Sequence, residues 1–202
     1  MPNSPKIFIF ILSYLLITLS PLAQNLVLAK SLNDSAVALM MKSEKNEKVI
    51  ELLDQAISAD SNYAKAYENK MSFLLNEKKF SNALVLSNKL LSINPKSSIY
   101  NLTTGVLLEK TGNIIEAQKN YKIADSLLSG SIDTLKTTDP KYVGQIWNRI
   151  TTLTLLNNPI KAKELANSLH STGIKSELDD LTSELISKSR EEILNSILQT
   201  KE

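Results

Sequence analysis

SIYNLTTGVLLEKTGNIIEAQKNYKIADSLLSGS, residues 98–131, reads as two helices joined by a short turn. Thr111, Gly112 and Asn113 close the first helix with Gly and open the second with Asn, and Glu116 follows three residues on in a capping-box-like arrangement. Outward from this stretch the same residue types return at one interval. Ala117 has Ala83 34 residues before it, and the same spacing relates Ala56, Leu90 and Ala124. It also relates Met40, Leu74 and Leu108, then Val37, Met71 and Gly105, then the helix-stopping positions Ser61, Pro95 and Ser129. Five columns in one register point to stacked helical repeats, in which each unit covers its neighbour's apolar face.

Composition agrees. Five Gly and six Pro in 202 residues leave few turn signals, and Leu, Ile, Ala, Lys, Glu and Ser dominate. Apolar residues recur at i, i+3 and i+4, with no sustained alternation of the kind a half-buried strand needs, so the fold class is all-α. The formal charge of +2 is near neutral, and Arg occurs only at Arg149 and Arg190. A nucleic-acid binder needs a basic stripe with several Arg forks, and neither is present. With no Cys there is no disulfide, no thiolate metal site, no cysteine nucleophile and no lipidated cysteine.

The 34-residue pattern resembles the tetratricopeptide repeat family, in which an aromatic, a small and an apolar residue mark a first helix, Ala and an aromatic mark a second, and Pro follows. Unit 98–131 matches most clearly through Gly105, Ala117, Tyr121 and Ala124; unit 64–97 supplies Tyr67, Leu74, Ala83 and Pro95. Unit 30–63 is the most degenerate, keeping Ala56 and an inter-repeat phrase from Ala59 to Tyr67. The resemblance implies a right-handed α-α superhelix. Small residues let helix backbones approach, and overpacking such a place costs about 1–3 kcal/mol. Ala117→Leu is therefore expected to lower the melting temperature more than Ser126→Leu; equal effects would count against this packing.

Beyond residue 131 the register shifts. Ile146, Ile150 and Leu153, a turn at Asn157, Asn158 and Pro159, and Ala162, Ala166 and Leu169 outline a divergent fourth helical hairpin starting near Val143. The preceding helix either runs on through Ile132 and Leu135 or breaks at Ser129, Gly130 and Ser131. From Lys175 onward, Leu178, Leu181, Leu185, Ile193, Ile197 and Leu198 lie among polar residues. They suit a capping helix closing a solenoid, or a helix docking on a partner or on a second copy of the chain.

Residues 1–23 carry Lys6, an apolar run from Ile7 to Leu19, and then Ser20, Pro21, Leu22 and Ala23, the order of a secretory signal peptide. The run is shorter than the roughly 20 residues that span a bilayer. Cleavage after Ala23 or after Ala29 fits, and an uncleaved anchor over 7–23 is the alternative. The expected location is periplasmic or secreted, or membrane-anchored through this segment, the only membrane contact expected.

In the tetratricopeptide family, first helices line a concave surface that holds ligands. The resemblance places Ser31, Asp34 and Ala38 there, then Lys65, Glu68, Asn69 and Ser72, then Ile99, Leu102 and Val106. The surface passes from polar to apolar, so the last seven residues are candidate partner-binding residues for an apolar or amphipathic protein segment. The alternative has the chain's own C-terminal helices covering the apolar trio. Some members clamp a C-terminal carboxylate with Lys, Asn and Arg; the corresponding residues here are Asp34, Ala38, Asn69, Ile99 and Thr103, of which only Asn69 fits.

No catalytic residue, metal or cofactor is indicated. His170 is the sole histidine, and the adjacent pairs Asp179/Asp180 and Glu191/Glu192 point to different sides of a helix. Trp147, among Ile146 and Ile150, reads as a core or interface residue, and Asn33 and Asn101 head glycosylation sequons. Two function classes stand: an exported, non-catalytic interaction scaffold or assembly factor of the cell envelope, and an enzyme or small-ligand binder on an irregular helical fold. The lack of convergent titratable residues favours the first.

Overall fold

Ten α-helices and no strand make up residues 21–42, 47–168 and 175–198, the residues described by a computed structural model of the chain. The helices are α1 (Pro21–Met41), α2 (Glu47–Ala59), α3 (Ala64–Asn76), α4 (Phe80–Ile93) and α5 (Ser98–Lys110). They continue with α6 (Ile114–Thr134), α7 (Tyr142–Leu155), α8 (Pro159–Asn167), α9 (Lys175–Ser187) and α10 (Arg190–Leu198). The all-α expectation holds over these residues, and no helix among them is long and apolar enough to cross a membrane. The apolar run 7–19 and His170 lie outside the described residues.

The 34-residue interval is visible in the backbone. Ala64 and Ser98 open α3 and α5, Asn76 and Lys110 close them, and Phe80 and Ile114 open α4 and α6 at the same spacing. The turn that closes α3, α5 and α7 is also the same. Lys78, Gly112 and Asn157 have φ of 54°, 89° and 57°. The amide after each donates five residues back: Lys79 to Leu74 O (2.9 Å), Asn113 to Leu108 O (2.8 Å) and Asn158 to Leu153 O (2.8 Å). The left-handed residue's own amide donates three back, which completes a Schellman motif. Gly and Asn suit this conformation; Lys does not, at about 1–2 kcal/mol. Lys78→Gly is expected to raise unfolding stability by about 0.5–1 kcal/mol after the entropy cost of Gly is subtracted. Chemical denaturation measures it, and a loss of stability would contradict the turn.

The chain divides into two units, 1–70 and 71–202. In the first, Ala29, Asn33 and Ala36 lie at i, i+4 and i+7 on α1, and Val49, Leu53 and Ala56 repeat that spacing on α2. All six are buried, and these two packed helices form the unit's main seam.

In the second unit α5 is buried on nearly every side, at Asn101, Leu102, Thr104, Gly105, Val106 and Leu107. Such a helix needs neighbours all round, and α4, α6 and α10 pack against it. Gly105 lies where α6 crosses: a Cβ there would come within 2.5 Å of the Tyr121 ring and 3.2 Å of the Ala117 carbonyl. Ala117 itself is fully buried and Ser126 exposed. Helix α6 runs unbroken through Ser129, Gly130 and Ser131 to Thr134, and α7 begins at Tyr142, beside the expected start. Of the expected capping box, Asn113 accepts from the Glu116 amide (3.3 Å), while the Glu116 carboxylate pairs with Lys119.

Candidate functional site

The candidate partner-binding residues fall in both units. In the first, Lys65 pairs with Glu68 on the same helix (3.0 Å). Asn69 donates to Asn33 Oδ1 (2.6 Å), and Asn33 is almost fully buried. Asn69 thus joins α3 to α1. The second unit holds Ser72, exposed on α3, and the apolar trio. Ile99 is 45% exposed, but Leu102 (2%) and Val106 (0%) are core residues. The expectation of three apolar side chains on an open surface is corrected here: α10 packs on α5, bringing Ile193, Leu194 and Leu198 into the same core.

What stays open beside Ile99 is a cleft of about 390 Å³ among α5, α7, α9 and α10. Ile99, Leu102, Trp147, Leu181, Leu185 and Ile197 supply its apolar lining. Leu181 is 39% exposed and Trp147 half-buried. Asn148, Thr151, Glu184 and Lys188 add polar groups; Lys188 pairs with Glu184 (2.8 Å), and the Thr151 hydroxyl donates to the Trp147 carbonyl (2.9 Å). The cleft offers apolar surface with one ion pair, a combination that suits an apolar side chain on a polar-backed segment. Leu181, Leu185 and Ile197 belong to the segment whose spacing suits a capping or a docking helix. Their helical spacing is visible in the sequence, but their meeting with Ile99 and Trp147 is a long-range contact.

The helices that wall this cleft are held by a polar network. Arg190, opening α10, grips Glu109 of α5 through Nε and Nη2, the latter at 2.9 Å. Nη2 also donates to the Leu155 carbonyl (3.0 Å), at the negative end of α7. Glu109 accepts from the Tyr121 hydroxyl (2.8 Å), and Lys110 pairs with Glu191 while lying 5.2 Å from the Phe80 ring centroid. Ser189 and Glu192 complete a reciprocal capping box on α10. The adjacent pair Glu191/Glu192 thus serves two different partners. Arg190 stood out in the sequence as one of two Arg; its partner, 81 residues away, did not.

Burial, then the hydrogen bond to Glu109, raises the Tyr121 phenol well above its ordinary value of 10. The folded state therefore keeps this proton after the unfolded state has lost it. Its contribution is complete below pH 10 and declines as pH rises above it. Alkaline unfolding is expected, and Tyr121→Phe should flatten the stability profile above pH 10; a profile unchanged by the substitution would contradict the assignment.

Both sequon asparagines are buried. Asn101 donates to the carbonyls of Pro95 (3.2 Å) and Ser97 (2.8 Å), and Asn33 accepts from Asn69. A glycan on Asn101 would replace one of the two Nδ2 hydrogens that make these bonds. Comparison with known protein families and with curated proteins finds no match to either.

Proposed function

We propose that the chain is an exported helical-repeat protein of tetratricopeptide type, a non-catalytic scaffold or assembly factor of the cell envelope. In this reading the units 30–63, 64–97 and 98–131 and the fourth hairpin wind as a right-handed superhelix, α9 and α10 cap it, and residues 1–23 are the export leader. The partner is a protein segment with an apolar or amphipathic face, docking in the second unit beside Ile99. The observation that carries the binding reading is the cleft itself: Ile99, Trp147 and Leu181 keep apolar surface open to solvent where the neighbouring Leu102 is covered. The repeated Schellman turns and the close Gly105–Tyr121 crossing support the repeat reading.

A displayed library of short peptides selected on the full chain tests the proposal. Enriched sequences should carry apolar anchors at i, i+3 or i+4. They should lose at least tenfold in affinity on Leu181→Asp while its helical content is unchanged. Failure of any sequence to enrich, or binding indifferent to Leu181→Asp, would sink it.

A further inference from the structure

We infer that the export leader is cut between Ala23 and Gln24, so that the exported chain begins at Gln24; this rests on the export reading above. Two positions carry a small residue before the bond: Ala23, with Pro21 third from the cut, and Ala29, with Val27 third from it. Pro is an awkward residue at that place before the first cut, while the second lies far from the apolar run. The packing of α1 favours the first.

Ala29 is fully buried and is the first rung of the seam that Ala29, Asn33 and Ala36 form opposite Val49, Leu53 and Ala56. Residues 25–28 are exposed, with Val27 at 70%. A cut after Ala29 would remove one rung in three and leave a charged amine on Lys30 beside the seam. A cut after Ala23 removes only the first three residues of α1. Its first turn begins at Pro21, and first-turn amides have no partner within a helix in any case. All three rungs stay.

The cut is a hydrolysis by the peptidase of the export machinery, made on the chain before α1 forms. Water adds across the bond, the Ala23 carbonyl becomes a carboxylate and Gln24 gains the free amine. The intact mass and N-terminal peptide of the full chain recovered from the export fraction decide the matter. An N-terminus at Gln24 is expected, with or without loss of one ammonia through attack of its amine on its own side-chain amide. An N-terminus at Lys30 would overturn this inference while leaving export in place. A retained Met1 would overturn the inference and the leader reading together. Ala23→Leu puts a large residue before the bond, on a segment absent from the folded product, and should reduce the Gln24 product at least tenfold. An undiminished yield of that product would also overturn the inference.

Discussion

Gly105→Ala is expected to destabilise the second unit by about 1–3 kcal/mol, even though Ala is the better helix former by roughly 0.5–1 kcal/mol. The added methyl would lie 2.5 Å from Cε1 and 2.6 Å from Cδ1 of Tyr121. That ring cannot easily move: it is fully buried, and Glu109 holds its hydroxyl. Gly130→Ala is the matched control. Gly130 also lies within a helix, but nothing stands within 4 Å of its would-be Cβ. There only the propensity term remains, so a gain of about 0.5–1 kcal/mol is expected. Opposite signs in denaturant unfolding support the close crossing; a gain at both positions would remove it.

Glu109→Ala should have a comparable or larger effect, about 2–4 kcal/mol, because it strands the Arg190 guanidinium and the Tyr121 hydroxyl together. The full cost of breaking a buried pair is discounted because Arg190 is 34% exposed, whereas Glu109 is 8%. Arg190→Met keeps most of the aliphatic stem and loses the ion pair together with the hydrogen bond to the Leu155 carbonyl. In a double-mutant cycle the two substitutions should couple by more than about 1 kcal/mol. Hydrogen exchange should also quicken in α10 and around Val106. Additive effects would mean that the network does not hold α10.

Much of this fold was legible from residue spacing. The helix boundaries around residues 59–114 follow the 34-residue interval, and Gly105, Ala117 and Pro95 stand where their small size or missing amide requires. Local signals left one junction open. Ser129, Gly130 and Ser131 could have ended a helix, yet Leu128 and Ile132, both buried and one turn apart, hold α6 together across an exposed Gly. The site was legible only in part. Ile99 is open, while Leu102 and Val106 are buried in a core shared with Ile193, Leu194 and Leu198, which agrees for these two with the alternative of cover by the C-terminal helices; no local period decides between the two arrangements. Asn69 likewise fitted a carboxylate clamp by position. Its amide is taken by Asn33, 36 residues earlier in the chain.

Trp147 is the only tryptophan and lines the cleft, so its emission reports on that place alone. Titrating the full chain with a selected amphipathic peptide while following this emission tests most directly whether a partner segment docks there. A saturable change is predicted, with at least tenfold weaker binding for Ile99→Asp at unchanged helical content. Binding that leaves Trp147 emission unaltered, or that Ile99→Asp does not weaken, would contradict it.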